Sequence, residues 1–139
     1  MQRIKTKVYL PEAVKRQMLA HSSSRDVEVC GLLSGKGNSV RRYYPVENIA
    51  DQPDRSFYMS PQGQLDAFKA MDDRNESLVG IFHSHPCSAA LPSSSDLELA
   101  AYPGVINFIV SLRDDPEKLE SFLYEGKNFS RIGIREISL

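Results

Sequence analysis

Two hydrophobic periods alternate along the 139 residues and predict a chain of mixed helices and strands. In some segments the apolar residues recur three or four positions apart, which is typical of helices that bury one face. Together with flanking turn residues, this spacing predicts three helices: Pro11–Ala20, Pro61–Asp73 and Ser93–Ala101. In the second of them, one face is expected to pack on the core, formed by Leu65, Ala67, Phe68 and Met71.

Short apolar or alternating runs that end at turn residues predict strands. The expected strands are Lys5–Leu10, Glu28–Ser34, Ser39–Ile49, Phe57–Ser60, Leu78–His85, Val105–Leu112, Leu119–Glu125 and Phe129–Ile137. Hairpin turns produce antiparallel pairs, whereas helical crossovers permit parallel pairs. We therefore expect a single α/β domain over residues 1–139, with helices packed on a mixed sheet.

Charge and hydropathy exclude two classes of partner. The chain has 17 Lys and Arg against 18 Asp and Glu, a formal net charge of −1. A nucleic-acid binder would carry a basic excess, so we expect no nucleic-acid partner. No apolar run reaches the roughly 18 residues of a membrane helix, and the first residues lack the apolar stretch of a signal peptide. We expect a cytoplasmic protein without a membrane partner.

The clearest chemical signal is His83-Ser84-His85 at the end of a predicted strand. Side chains alternate between the two faces of a strand, so both imidazoles point to the same side. Their Cα atoms would lie roughly 6.5–7 Å apart, which allows both rings to bind one metal ion. The pair predicts half of a metal site on a rigid element.

Further residues complete a candidate catalytic set. Catalytic zinc sites have three protein ligands and a water, and Asp96 is the best candidate for the third ligand because a short loop places it in the first turn of a predicted helix. The hydroxyl of Ser93 could steady an oxyanion. Glu28 is the candidate general base, if its strand neighbours the two histidines. The set predicts amide hydrolysis by a metal-activated water.

Each of these residues also has an ordinary structural explanation. Ser93 and Asp96 fit a helix N-cap close to a capping box, with or without a metal. Considered on its own, Glu28 fits an ordinary surface carboxylate at the start of a strand. A lone His-x-His pair is a weak metal signal, and only its combination with the other three residues makes the metal site the favoured interpretation.

The two cysteines, Cys30 and Cys87, are too few for a disulfide scaffold. Cys30 is expected to be a small buried hydrophobe and Cys87 a loop thiol. Cys30 lies two residues after Glu28, and Cys87 lies two residues after His85. The two sulfurs could therefore be neighbours, and a redox-sensitive pair is one hypothesis for them.

The motifs resemble those of the JAMM (MPN+) metalloprotease family. They are Glu28-Val29-Cys30-Gly31-Leu32-Leu33-Ser34-Gly35, then His83-Ser84-His85-Pro86, six intervening residues, and Ser93-Ser94-Ser95-Asp96. The resemblance implies a cytidine-deaminase-like α/β fold, in which helices flank a curved mixed sheet. It also implies one Zn²⁺ per chain, held by His83, His85, Asp96 and a water. Glu28 would be the acid–base residue, and Ser93 would contact the water or the tetrahedral intermediate.

The same resemblance implies a peptidase or isopeptidase that acts at the C-terminal tail of a ubiquitin-like or sulfur-carrier protein. Asp96 is soon followed by the strand Val105–Leu112, which leaves no room for the ubiquitin-recognising insertions of specialised eukaryotic members. The chain is instead similar to the compact bacterial and archaeal members.

Two alternatives remain open. A narrower peptidase would release one C-terminal amino acid, such as cysteine, from a sulfur-carrier protein in cofactor or amino-acid biosynthesis. An alternative of another class is a non-catalytic MPN protein-interaction module, which would need no metal. Apolar faces on the short helices would also allow a homodimer.

Overall fold

The computed structural model describes residues 7–138, so the first two residues of the predicted strand Lys5–Leu10 lie outside it. The described elements are β1 (Lys7–Pro11), α1 (Glu12–Ser23), β2 (Cys30–Lys36), β3 (Ser39–Val46), α2 (Pro61–Asp73), β4 (Ser77–His85), α3 (Ser94–Glu98), β5 (Ile106–Ser111), β6 (Lys118–Glu125) and β7 (Asn128–Ile137). They confirm the α/β class. No helix within residues 7–138 is long and apolar enough to cross a membrane.

The strands form a closed barrel in the order β1-β3-β2-β4-β5-β6-β7. The barrel is closed by β1, which runs parallel to β7 along its whole length and meets β3 at Tyr9 and Ser39. The mixed pairing is confirmed, because β4 and β5 are parallel whereas β2 pairs antiparallel with both β3 and β4. The curved sheet implied by the family resemblance is thus corrected to a closed barrel, since β1 bridges what would otherwise be two edge strands.

Apolar side chains cover both faces of the barrel wall, because successive residues of a strand point to opposite sides. On one face, Phe82 of β4 lies in a buried cluster with Met18 of α1. On the other face, Ile81 of β4 packs in a second cluster with Met71 of α2. His83 follows Ile81 by two residues, so β4 carries it to the α2 side of the wall.

Local interactions move several boundaries away from the predicted ones. The first helix continues to Ser23, and the hydroxyls of Ser22 and Ser23 donate to carbonyls one turn earlier. The predicted strand Phe57–Ser60 was wrong, since the segment makes only an isolated bridge between Asn48 and Met59. The third helix is shorter than the predicted Ser93–Ala101, because none of its residues is buried to anchor further turns.

The prediction that Leu65 faces the core was also wrong. Leu65 of α2 is 55% exposed, whereas Ala67 and Met71 of the same helix are buried. The helix therefore presents a narrower apolar stripe to the barrel than its sequence pattern indicated.

Candidate active site

The two histidines lie at the C-terminal end of β4, a strand that is paired on both sides. His83 is opposite Cys30 of β2 and Ile109 of β5, and His85 is opposite Ser111 of β5. Both rings are buried, and they approach each other with 3.0 Å between the two Nε2 atoms. The alternation of the strand thus brings the imidazoles together as predicted, on a backbone that neighbouring strands hold in place.

Each ring is oriented by a contact outside the pair. His85 Nδ1 lies 2.8 Å from the carbonyl oxygen of Ala89, to which it donates, and this bond turns Nε2 toward His83 and Asp96. His83 stacks on Phe57, with 4.4 Å between ring centroids and 22° between planes. These contacts direct both Nε2 atoms toward one point.

Asp96 completes the group through the first turn of α3. The Ser93 hydroxyl accepts from Asp96 N–H at 3.0 Å, and the Ser93 N–H donates to Asp96 Oδ2 at 2.9 Å, so the capping box is present. The same Oδ2 lies 3.1 Å from His83 Nε2 and 3.2 Å from His85 Nε2. The cap therefore also fixes the carboxylate against the two histidines.

Burial and charge shift the pKa values of His83, His85 and Asp96. Burial lowers the pKa of His83, outweighing the opposing effect of Asp96. Burial works against the charged forms of His85 and Asp96 as well. The hydrogen bond to Asp96 nevertheless raises the pKa of His85, and the hydrogen bonds from His83 and His85 hold the pKa of Asp96 below its usual range. Asp96 is thus an ionised carboxylate between two imidazole nitrogens.

The donor set fits a tetrahedral metal ion. His83 Nε2, His85 Nε2 and Asp96 Oδ2 form a triangle with sides of 3.0, 3.1 and 3.2 Å. Ligand atoms about 2.0–2.1 Å from a tetrahedral ion lie roughly 3.3 Å apart, close to these sides. Two imidazoles and one carboxylate are also the ligand types found in catalytic zinc sites. The site is compatible with a bound metal ion.

Glu28 lies beside this triangle but is placed differently from Asp96. One ligand atom each from Glu28, His83 and His85 lie within 4.8 Å of one another. The carboxylate is buried, and its Oε1 has no hydrogen-bond partner among residues 7–138. Burial raises the pKa of Glu28 to about 7, against the opposing effect of His85. Asp96 thus contacts both imidazole nitrogens directly, whereas Glu28 keeps a carboxylate oxygen without a described partner beside them.

The backbone around Glu28 is fixed by residues that the sequence did not single out. Glu28 N–H donates to Pro53 O at 2.7 Å, and Asn48 Nδ2 donates to Glu28 O at 2.9 Å. The buried hydroxyl of Ser84 accepts from Val29 N–H at 2.9 Å. Ser84 lies between the two histidines, so one strand positions both the histidine pair and the carboxylate.

Both the nitrogen and the oxygen of the Asn48 side-chain amide form hydrogen bonds, and together these connect Glu28 to the segment that contains Phe57. Besides the bond to Glu28, its Nδ2 donates to Ser56 O at 3.0 Å, and its Oδ1 accepts from Ala50 N–H and Tyr58 N–H at 3.0 and 2.9 Å. No spacing signal marks Asn48 in the sequence, because its role depends on contacts between distant segments.

A cavity of about 220 Å³ opens beside His83 and Asp96. Its walls are mostly apolar, with Phe57, Met59 and Ile81 among them. Such a cavity next to polar groups is typical of a ligand site. No local sequence pattern marks this cavity, because its walls come from segments that are far apart in the chain.

Both cysteines are free thiols in the structure. Cys30 is buried and its thiol points to Val46 O at 3.3 Å, whereas Cys87 is exposed. Burial raises the pKa of Cys30 to about 12, which disfavours the reactive thiolate. The redox pair stays a prediction.

Residues 11–124 match the family described as prokaryotic homologs of the JAB domain. The chain belongs to this family, which confirms the resemblance to JAMM (MPN+) proteins. Among curated relatives, it is 35% identical over 86 residues to the desampylase of Haloferax volcanii. It is 39% identical over 101 residues to the CysO-cysteine peptidase of Mycobacterium tuberculosis. These matches cover 60% and 70% of this chain, and 62% and 68% of the respective relatives.

Solved structures support the same fold. A solution structure of a Desulfitobacterium hafniense protein matches with a TM-score of 0.86 and 33% identity, covering 95% of this chain and 94% of that one. The crystal structure of a JAB1/MPN domain protein from Archaeoglobus fulgidus matches with a TM-score of 0.57 and 19% identity, covering 94% and 99%. The barrel described above is thus a version of the JAB1/MPN fold.

Proposed function

We propose that this chain is a zinc-dependent peptidase that hydrolyses a peptide or isopeptide bond at the C-terminal tail of a ubiquitin-like or sulfur-carrier protein. The observation that carries the proposal is the triangle of His83, His85 and Asp96 with Glu28 beside it. The names of the relatives support the substrate class, since one is a desampylase and another a CysO-cysteine peptidase. We place this activity in a single cytoplasmic domain.

In this proposal His83, His85 and Asp96 hold the metal and Glu28 moves the proton. When bound, zinc would polarise the scissile carbonyl and make a water acidic enough to ionise near neutral pH. Glu28 accepts the proton of the attacking water and delivers it to the nitrogen of the leaving amine. The water oxygen forms a bond to the carbonyl carbon, the C–N bond breaks, and no covalent enzyme intermediate is needed.

Ser93 is proposed to donate a hydrogen bond to the substrate oxygen that becomes negative during the attack. Its hydroxyl already accepts from Asp96 N–H, and a hydroxyl has one donor besides its two acceptor positions. The O–H is therefore available to the substrate carbonyl oxygen. A donor aimed at a developing oxyanion typically contributes about 10²–10³ in kcat.

Replacing Ser93 by alanine is expected to lower kcat by about 100-fold and to destabilise the fold by about 1 kcal/mol through loss of the N-cap. Ser60→Ala is the matched control, because Ser60 caps α2 by accepting from Gly63 N–H at 3.2 Å. We expect the control to lose about the same stability but to keep kcat within about twofold. Equal kcat losses in both variants would remove Ser93 from the mechanism. Urea denaturation and steady-state kinetics measure the two quantities.

A narrower function is favoured by one comparison. The CysO-cysteine peptidase is the relative with the longer match, over 70% of this chain. The second candidate activity is therefore the release of one C-terminal amino acid, such as cysteine, from a sulfur-carrier protein.

Mass spectrometry of two substrates tests both activities. One substrate is a small ubiquitin-like carrier with a single cysteine after its Gly-Gly terminus, and the other is the same carrier joined through an isopeptide bond to a lysine peptide. Cleavage of both supports the broader function, and cleavage of the first alone supports the narrower one. If neither mass changes with zinc-loaded protein, the peptidase proposal fails and the interaction module is favoured.

A further inference from the structure

Two tyrosine hydroxyls are buried without a hydrogen-bond partner among residues 7–138, those of Tyr44 and Tyr124. Tyr44 is on β3 and Tyr124 is on β6. A buried hydroxyl without a partner loses its bonds to water and gains nothing in return, so such groups are uncommon in folded proteins. The two residues differ in one respect: Tyr124 lines the cavity beside His83 and Asp96, and Tyr44 does not.

The register of the barrel explains why Tyr124 reaches the active-site side. Asn107 of β5 pairs with Phe122 of β6, and Tyr124 follows Phe122 by two residues. All three side chains therefore share one face of the wall. Asn107 and Tyr124 both line the cavity, where they add polar groups to mostly apolar walls. A few polar groups in an apolar cavity are the usual means of orienting a ligand.

The Tyr124 hydroxyl has a donor to offer at neutral pH. A phenol has an ordinary pKa near 10 and carries its proton there. Burial, with a smaller effect of the Asp96 charge, raises the pKa of Tyr124 further. The matching ligand group is thus a hydrogen-bond acceptor on the substrate.

We propose that Tyr124 is a substrate-binding residue, whose hydroxyl donates a hydrogen bond to a main-chain carbonyl oxygen of the tail next to the cleaved bond. A peptide tail that enters the cavity brings such an acceptor for every residue. The bond would satisfy the hydroxyl that the protein alone leaves unpaired. This inference rests on the proposed peptidase function and adds a binding contact outside the metal triangle and its proton acceptor.

The test compares Tyr124→Phe with Tyr44→Phe on the carrier that bears one residue after its Gly-Gly terminus. Both changes remove one unpaired hydroxyl and keep the ring, so we expect both variants to unfold at temperatures no lower than the wild type. We expect Tyr124→Phe to raise KM by roughly 10-fold with kcat within about twofold, because a contact made equally in the ground and transition states affects binding. Tyr44→Phe is expected to match the wild type.

Each other outcome overturns the inference. Unchanged KM in Tyr124→Phe, a loss confined to kcat, or an equal rise of KM in Tyr44→Phe would show that the Tyr124 hydroxyl does not bind the tail. If the wild type does not cleave the carrier at all, the proposed function itself has failed, which is a distinguishable result.

A second measurement needs no protein variant. A synthetic tail with a thioamide in place of each of the two main-chain amides immediately before the cleaved amide, one at a time, offers sulfur as a weaker acceptor. For the wild type we expect one of these substrates to show a KM several-fold higher than the parent peptide. The same substitution should have no further effect in Tyr124→Phe, because the two changes remove the same bond. Unchanged KM for both thioamides would overturn the inference.

Discussion

Replacing Glu28 by glutamine is expected to reduce hydrolysis by about 10²–10⁴-fold, the usual contribution of a positioned general base. Glutamine has nearly the same shape, so it keeps the packing but cannot accept the proton of the attacking water. Since Asp96 and the two histidines bind the metal in this account, the variant should retain zinc. Steady-state kinetics and elemental analysis of the same sample measure both properties.

The matched control for this variant is Glu47→Gln, which changes an exposed carboxylate in a neighbouring segment. We expect it to hydrolyse substrate within about twofold of the wild type, as is usual for exposed positions. Wild-type hydrolysis by Glu28→Gln would exclude Glu28 as the proton acceptor. Loss of zinc from that variant would instead identify Glu28 as a metal ligand.

Replacing Asp96 by alanine is expected to lower zinc affinity by more than about 100-fold. Loss of a residue that only orients a metal ligand already lowers metal affinity by up to about 100-fold, and this change removes a proposed ligand itself. Hydrolysis should fall with the bound zinc. The variant also loses the capping box of α3, so Asp96→Asn is the more conservative change. It keeps the side chain's shape but removes the negative charge that the metal requires.

Asp66→Ala is the control for this variant, since Asp66 is an exposed helical carboxylate whose only described hydrogen bond is with Gln62. After dialysis against a weak chelator, we expect the control to keep as much zinc as the wild type. If Asp96→Ala and Asp96→Asn keep their zinc under the same conditions, the third ligand must be another residue.

The histidine pair was predictable from sequence because it depends on local geometry alone. Alternation along a strand places His83 and His85 on one side, whatever the rest of the fold. The capping box was likewise visible in the spacing of Ser93 and Asp96. The short loop between these two features made their convergence possible, and the family resemblance favoured it, but no local pattern reports which loop folds back over which strand.

The closure of the barrel could not be predicted in this way. It depends on β1 pairing with β7, which joins Lys7 to Gly133 across most of the chain. Parallel pairing between such distant segments leaves no turn motif in the sequence. The hydrogen bonds that join Asn48 to Glu28 and Tyr58 could not be predicted either. They also link distant segments, and a polar residue in an irregular segment resembles any other loop residue.

The central claim is that a metal held by His83, His85 and Asp96 is required for cleavage of a carrier tail. Its most direct test is the rate of cleavage by chelator-treated protein as zinc is added back. We expect no cleavage without metal, then a rate that rises with zinc and levels off at about one ion per chain, as for a single catalytic site. Full cleavage by the metal-free protein would contradict it.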